Sequence, residues 1–379
     1  MTRPMPVRCP AIAHPDLPLA DPADLGPLLA RLGEGRPVEA DETFPLGILR
    51  ADGRVDLCKQ GLGPAGAALL LPVAAASPHA KHLLLGTNAL ADEGARTLAD
   101  ALRGAAHGLH TLYLGCNRIG PDGARALVSV LTGDDAVRGL WLKRNPLYGD
   151  GARTLAALLR RNTALRTLDL VNTGIGTAGI RLLLDALRVR ARPLERIFLG
   201  GNGLTAEAAP LLAALIRDAG VRELYVPANH LGDEGVEILA AAAADPARPV
   251  RLGLGGNGIG PRGARALAAA LGGIDALDLG RTLSERSLGA AGNDPGDEGA
   301  YALAAALPGS PLRRLDLRHT GITGRGAKSL LAALPEDAPL EHIGLGPGTP
   351  RRVKRAFAER LRPAAAAHPD VRAIGSAYR

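Results

Sequence analysis

The chain has 379 residues, of which 46% are hydrophobic but only 2% aromatic, so its core must consist mainly of leucine and alanine. No apolar run is long enough to cross a membrane as a helix, so no membrane span is expected. Residues 351–379 carry eight Lys or Arg side chains against Glu359 and Asp370, which leaves the rest nearly neutral and argues against nucleic acid as a partner.

The first 53 residues lie outside any repeat. The beginning of this segment has no continuous apolar region, so we expect no signal peptide. Its single apolar stretch, "LGPLLARLG", predicts an N-terminal cap over residues 1–53. The three cysteines, Cys9, Cys58 and Cys116, show no paired spacing, which is typical of a reducing compartment and favours a cytoplasmic location.

From residue 54 onward the chain repeats. Segments such as "LYLGCNRI" and "LWLKRNPL" recur with an asparagine at the same place, at positions 88, 117, 145, 202, 229 and 257. The wide step between Asn145 and Asn202 contains a further unit, "LDLVNTGI", with a threonine at that place. Other units place Gln60, Thr282, Thr320 and Gly348 there. We count about eleven units over residues 54–364.

Each unit predicts one strand and one helix. The "LxLxxN" alternation indicates a strand, and the following "xxLAxAL" has apolar residues at helical spacing. Asp92, Asp233 and Asp297 stand where a helix begins and are predicted to cap it. One strand and one helix cannot bury their apolar faces alone, so stacked units predict an α/β solenoid with an inner parallel sheet and outer helices.

The motif "LxLxxNxLGDEGAxxLAxAL" resembles that of ribonuclease-inhibitor-like leucine-rich repeat proteins. The resemblance implies a horseshoe of 28-residue β-strand/α-helix units, with a concave parallel sheet, convex helices and a partner on the concave face. The chain departs from the pattern in its threonine units and in an enlarged loop at 281–292. Residues 365–379 are predicted to form a solvated C-terminal tail. The Ala-, Gly-, Arg- and Pro-rich composition favours a bacterial type.

The residue between the two leucines of each strand is predicted to face the concave surface, because strand side chains alternate. This row contains four of the few aromatic residues of the chain, and it predicts that Trp141 is displayed with Lys143 one step along. We therefore predict a partner-binding set of Tyr113, Trp141, Lys143, Asp169, Phe198 and Tyr225. A neighbouring row favours an acidic or phosphorylated partner; it consists of Arg54, His82, Arg196, Arg251, Arg314 and His342, opposed by Glu223.

A second candidate site lies near the enlarged loop. Asp278 and Asp316 fall on adjacent strands, where two carboxylates share a proton, bind a cation or, as we favour, pair with nearby arginines. The loop is predicted to lean over them. The set for this alternative, an enzyme or small-molecule site, is Arg251, Asp278, Arg281, Arg314, Asp316, Arg318 and His319.

The function that these patterns favour is a non-enzymatic scaffold that binds a protein or peptide on its concave aromatic face. We predict no catalytic residue, cofactor or metal, because "GLGGNG" and the near P-loop "GITGRGAKS" both follow from the repeat. Inhibition of basic ribonucleases is disfavoured, since it calls for an acidic groove. A GTPase-regulator-like role and an assembly scaffold remain as alternatives. The partner and the oligomeric state stay open.

Overall fold

The computed structural model describes residues 7–8, 18–282 and 288–378. The chain divides into two compact units. Unit 1 comprises Met1–Leu194 together with Ala367–Arg379, and unit 2 comprises Glu195–Ala366. The extreme C-terminus therefore belongs with the first half of the chain.

In unit 1, strands and helices alternate from the first repeat onward. Its strands are β1 (Glu42–Thr43), β2 (Ile48–Leu49), β3 (Arg54–Asp56), β4 (His82–Leu84), β5 (Thr111–Tyr113), β6 (Gly139–Trp141) and β7 (Thr167–Asp169). Its helices are α1 (Gly26–Gly33), α2 (Gly63–Ala76), α3 (Ala91–Gly104), α4 (Pro121–Leu131), α5 (Tyr148–Arg161), α6 (Gly176–Arg188) and, from the C-terminus, α13 (Pro369–Ala373). Short 3₁₀ turns precede α1 at Pro22–Leu25 and follow α13 at Gly375–Tyr378.

The sheet of unit 1 has two parts. Strands β3 to β7 pair in parallel with consecutive repeats in register. Strands β1 and β2 form an antiparallel hairpin that extends the sheet at β3. Leu25, Leu28 and Leu32 of the first helical segment are buried at this end. Residues 22–49 thus lie at the end of the sheet next to the first repeat, and their role as a cap stays a prediction.

Unit 2 continues the same alternation. Its strands are β8 (Arg196–Phe198), β9 (Glu223–Tyr225), β10 (Val250–Gly253), β11 (Ile274–Asp278), β12 (Arg314–Leu317) and β13 (His342–Leu345), all parallel. Its helices are α7 (Ala209–Arg217), α8 (Gly232–Ala243), α9 (Pro261–Ala269), α10 (Gly296–Ala306), α11 (Gly324–Ala333) and α12 (Arg351–Ala358). The predicted α/β repeat solenoid is confirmed in each unit.

A buried asparagine ladder ties neighbouring repeats together. Asn145 Nδ2 donates to the carbonyl oxygens of Leu114 and Leu142, at 2.9 and 3.0 Å. Its Oδ1 accepts the backbone N–H groups of Asn117 and Ile119, both at 3.0 Å. Because three of these four bonds reach the preceding repeat, Asn145 satisfies backbone groups of two units at once. At Thr173 and Thr320 the hydroxyl donates to the carbonyl oxygen at the end of its own strand, Leu170 and Leu317 respectively.

The enlarged unit corrects one ladder position. Asn293, and not Thr282, takes the ladder place: its Oδ1 accepts the backbone N–H groups of Asn257 and Ile259, at 2.9 and 3.0 Å. Its Nδ2 donates to the carbonyl oxygens of Leu254 and Leu279, both at 2.9 Å. The additional residues therefore lie between the strand and the ladder residue.

The repeated aspartates cap a different helix from the predicted one. Asp92 lies in the first turn of α3, yet its Oδ1 accepts the backbone N–H groups of Gly120 and Gly123 at the start of α4, at 2.7 and 3.0 Å. Asp233 bridges in the same way to Gly260 and Gly263. Each carboxylate therefore satisfies the free N–H groups of the following helix and links successive repeats.

The cysteine prediction was wrong in one respect. Cys58 is free, but Cys116 is disulfide-bonded. Because disulfides persist mainly in oxidising compartments, the cysteines no longer favour the cytoplasm, and that location stays a prediction. Within the described ranges, no helix combines the length and the hydrophobicity that crossing a membrane requires.

Candidate functional site

The sheet face of unit 1 carries the predicted row of concave residues. Tyr113, Trp141 and Asp169 pair in register on β5, β6 and β7, as the alternation predicts. Their exposure differs from the prediction: Tyr113 is 4% exposed, and Trp141 and Asp169 are 1% exposed. The prediction that Trp141 is displayed was therefore wrong, although its position on the strand was correct.

The C-terminal segment lies on this face. Thr167 Oγ1 on β7 donates to Asp370 Oδ2 at 2.9 Å, and Arg54 Nη1 on β3 donates to Ser376 Oγ at 3.2 Å. Arg54 and Thr167 hold equivalent places in their strands, connected through His82, Thr111 and Gly139. Residues 370–376 thus reach from the first parallel strand to the last one of unit 1. Within the tail that was predicted to be solvated, residues 370–376 therefore contact the sheet.

The indole of Trp141 points toward the row that this segment crosses. Its Nε1 lies 3.2 Å from where a Cβ on Gly139 would stand, so the ring lies back over its own strand. Gly86 provides similar room for the ring of Tyr113. The two aromatic rings have centroids 6.4 Å apart. Glycines on the sheet face therefore make space for a compact aromatic layer.

Lys143 and Asp169 form the charged part of this layer. Lys143 Nζ lies 5.6 Å from the centroid of the Tyr113 ring, within reach of a cation–π attraction. Burial lowers the pKa of Lys143 to about 8, against the opposing effect of Asp169. Burial also raises the pKa of Asp169 to about 6, although Lys143 and a hydrogen bond from the Val171 N–H favour its charged form.

The sheet face of unit 2 has a more accessible aromatic pair. Phe198 and Tyr225 are register partners on β8 and β9, with stacked rings whose centroids are 4.6 Å apart at 8°. Both side chains are half-buried. The Tyr225 hydroxyl donates to Glu223 Oε2 at 3.0 Å, which fixes the ring. This pair matches the predicted position and is partly exposed.

The predicted basic row of unit 2 is largely neutralised. Arg196 is buried and makes a bidentate contact with Glu223, both bonds at 2.7 Å. Arg251 pairs with Asp275 at 3.2 Å, away from the predicted second site. Arg314 is the exposed cation of this row, and His342 is its register partner on β13. Burial and Arg314 lower the pKa of His342.

The structure brings together part of the second predicted site. Asp278 and Asp316 are register partners, and Arg318 donates to both oxygens of Asp316 through Nε, at 3.0 and 2.8 Å. The pKa of Asp316 is lowered because these bonds outweigh its burial. Desolvation and the neighbouring Asp316 raise the pKa of Asp278 to about 6. Pairing with an arginine, the favoured alternative, therefore holds for Asp316.

The other members of that set have lesser roles. The backbone N–H of Arg281 donates to the carbonyl oxygen of Arg318 at 3.0 Å. His319 follows β12 in a turn with a φ of 60°. Residues 283–287 of the enlarged loop lie outside the described residues, and so does the prediction that it leans over the carboxylates. Among the residues that the structure describes, no group of three His, Cys, Asp or Glu side chains is arranged for a metal ion.

Sequence reasoning missed the C-terminal segment as a site element. Asp370, Ile374 and Ser376 were not in any candidate set, and neither was Thr167. A signal was present, because "HPDVRAI" has proline and aspartate at the first helical positions, which is typical of a helix start. Nothing in the local sequence indicates which surface such a short helix covers.

Comparison with known proteins supports the repeat. Residues 107–128, 161–184, 250–268 and 310–331 match the family model described as Leucine Rich repeat. The chain is 32% identical over 220 residues to ribonuclease inhibitor of Sus scrofa, covering 58% of this chain and 42% of that protein. It is 30% identical over 173 residues to "NACHT, LRR and PYD domains-containing protein 5" of Bos taurus, covering 45% and 15%. The chain spans less than half the length of these curated relatives.

Solved structures with a related fold are also found. The structure titled "Crystal structure of Rad7 and Elc1 complex in yeast" is similar with a TM-score of 0.53 at 15% identity, covering 93% of this chain and 87% of that one. The leucine-rich repeat-containing protein LegL7 from Legionella pneumophila gives 0.47 at 18% identity, covering 76% and 92%. Four segments of the chain thus match the leucine-rich repeat, and part of the chain is similar to ribonuclease inhibitor, whereas the predicted bacterial type is not shown.

Proposed function

We propose that this chain is a non-enzymatic scaffold that binds a protein or peptide on the helix-free faces of its sheets. The observation that carries the proposal is the stacked, half-buried Phe198–Tyr225 pair on the face of unit 2. Leucine-rich repeats typically act in protein–protein interaction, and the relatives include a protein whose name describes inhibition of another protein. We keep all six predicted partner-binding residues in the proposal. Phe198 and Tyr225 are partly exposed, whereas Tyr113, Trp141 and Asp169 are buried.

The Phe198–Tyr225 pair has the properties of a binding anchor. Stacking and the hydrogen bond from Tyr225 to Glu223 hold the rings in one orientation before any partner arrives. A preorganised aromatic side chain loses little conformational entropy on binding, and such side chains often dominate binding energy. Gly253 lies beside Tyr225 and leaves the neighbouring strand without a side chain that would cover it.

The acidic preference predicted for the partner rests on fewer groups than the sequence indicates. Arg196 and Arg251 already pair with Glu223 and Asp275. Arg314 is exposed at the end of β12 and is free to approach a carboxylate or phosphate. We therefore propose a partner with an apolar group for the aromatic pair and an acidic group on the side of Arg314.

The test compares aromatic residues on the two sides of unit 2. Proteins captured from a native lysate by the wild type are quantified against Phe198→Ala, Tyr225→Ala and Tyr301→Ala. Tyr301 is an exposed aromatic residue on helix α10, so its loss is the matched control. We expect the first two variants to lower capture of at least one partner about tenfold or more, and the control to leave it unchanged. Equal capture by all variants contradicts the proposal.

The alternative, a small-molecule site, has one specific observation in its favour. Asp278 has its pKa raised to about 6 beside the second carboxylate of Asp316, an arrangement that is typical of proton-sharing or cation-binding pairs. A thermal-shift screen of divalent cations and metabolites tests it, with Asp278→Asn as the control. A ligand that stabilises the wild type but not this variant supports the alternative, and no stabilisation argues against it.

A further inference from the structure

We propose that the sheet face of unit 1 is a second peptide-binding site, which the C-terminal segment of the chain itself now occupies as an intramolecular ligand. An external peptide of the same chemistry competes for this face. The inference rests on the proposed function in assuming that these faces bind polypeptide, but it concerns a different surface from the Phe198–Tyr225 pair. We call residues 369–377 the C-terminal plug.

The plug has the contacts of a bound ligand. It is polar at both ends, where Asp370 accepts from Thr167 and Ser376 accepts from Arg54. Between these ends Ala373 and Ile374 are buried, whereas Arg372 and Gly375 are exposed. The plug therefore presents one apolar side with a carboxylate to the sheet and the opposite side to solvent.

The connection to the plug has the composition of a tether. The preceding stretch "PAAAA", residues 363–367, is exposed and forms neither helix nor strand. Covalent attachment through a short, flexible linker gives a ligand an effective concentration of about millimolar. A free peptide must exceed this advantage, so the intact chain is expected to bind external ligands weakly.

The sheet face that the plug contacts carries aromatic residues at the same strand positions as the face of unit 2. Tyr113 and Trp141 occupy the strand positions that Phe198 and Tyr225 occupy in unit 2. Polar groups accompany the aromatic residues, with Thr111 Oγ1 and His82 Nδ1 2.9 Å apart. When the plug leaves, the Thr167 hydroxyl loses its bond to Asp370, and a second carboxylate is the group that replaces that bond best.

These contacts define the class of peptide that competes. The plug places an acid, then apolar side chains three and four positions later, then a small residue three positions beyond, at Asp370, Ala373, Ile374 and Ala377. Residues spaced by three and four share one side of a helix, so the ligand is a short helical peptide with an acid in its first turn. The site is expected to reject a peptide with a charge in place of Ile374, since that side chain is buried.

The test separates the plug from the protein and returns it as a peptide. A protease site replaces residues 364–367 in the full chain. The fluorescence of the sole tryptophan, Trp141, then shows whether the plug is bound. After cleavage and removal of the released plug, we expect a red-shifted emission and stronger quenching by acrylamide. A labelled peptide of residues 366–378 should restore the blue emission, and should bind the cleaved protein at least about tenfold more tightly than the uncleaved one.

Three peptides provide the controls. Ile374→Asp should abolish binding and Asp370→Asn should weaken it, whereas Arg372→Ala should bind like the original because Arg372 is exposed. In the uncleaved chain, Ile374→Asp should by itself expose Trp141, which covers the case in which the cleavable variant does not fold. A cleaved plug that never dissociates under native conditions, or a peptide that does not rebind, overturns the proposal. Phe198→Ala should leave these results unchanged, so they stand apart from a failure of the partner capture.

Discussion

The sheet faces of the two units come from the same strand positions yet differ in what reaches them. In unit 1 the aromatic and acidic residues between the leucines are buried, and the C-terminal plug makes hydrogen bonds to the first and last parallel strands. In unit 2 Phe198 and Tyr225 stay half-buried. The repeat therefore decides which side chains face away from the helices, while residues from outside the repeat also reach the face of unit 1.

The largest expected effect is a difference in stability between variants of the buried Trp141 and of the partly exposed Phe198. Trp141→Ala should lower the free energy of unfolding by about 3–5 kcal/mol, because it removes a fully buried ring. Phe198→Ala should cost about half as much or less, since part of that ring already contacts water. Urea unfolding followed by circular dichroism measures both. Equal losses would break the comparison between a covered and an open face.

The second prediction concerns what the units share. Asn145→Ala in unit 1 and Asn257→Ala in unit 2 each remove a buried ladder side chain with bonds to two strand ends. Leaving these backbone groups unpaired should cost about 2–4 kcal/mol in each case. The same unfolding experiment tests it. A large loss in one unit alone would mean that the asparagine ladder contributes differently to the stability of the two units.

Acid should act on the covered face first. Burial and His110 lower the pKa of His82 to about 4, against smaller opposing effects of Asp52 and Asp370. The unfolded chain, with an ordinary histidine pKa near 6.5, then binds more protons between about pH 6.5 and 4, so stability falls as the pH falls through that window. Asp169, whose pKa is raised to about 6, acts in the opposite direction as it is protonated.

His82→Gln isolates the histidine contribution. The variant should lose less stability than the wild type between pH 6.5 and 4.5, as read from Trp141 emission during urea unfolding at each pH. A wild type and variant with parallel pH profiles would exclude His82 as the source.

The smallest expected effects are on the acid–base pairs. Arg318→Gln should raise the pKa of Asp316, and Lys143→Met should raise that of Asp169, because each removes the neighbouring cation. Since Arg318 is mostly exposed, its loss should change stability by less than about 1 kcal/mol. Carboxyl NMR titration of both variants measures the shifts. An unchanged pKa of Asp316 would show that its hydrogen bond from the Arg318 backbone N–H is sufficient.

The fold was predictable because its signals are local. Strand alternation and helical spacing recur within each unit, so the strands, the ladder asparagines and the side that Trp141 faces all follow from the sequence. The features that were predicted wrongly depend on contacts between residues far apart in the sequence. Asp92 caps a helix one repeat ahead, and Asn293 replaces Thr282 after an insertion. The contact between Thr167 and Asp370 joins residues 203 positions apart, and no periodic pattern encodes such a pairing.

The ladder at Asn293 has a practical consequence for protein engineering. Asn293 follows Asn257 by 36 residues, whereas Asn145 follows Asn117 by 28, and both close the same hydrogen bonds. The entropy of closing a loop grows slowly with its length. The stretch between Gly280 and Asn293 is therefore a natural place to graft foreign sequence, such as an affinity loop or a reporter, with the solenoid continuing undisturbed on either side.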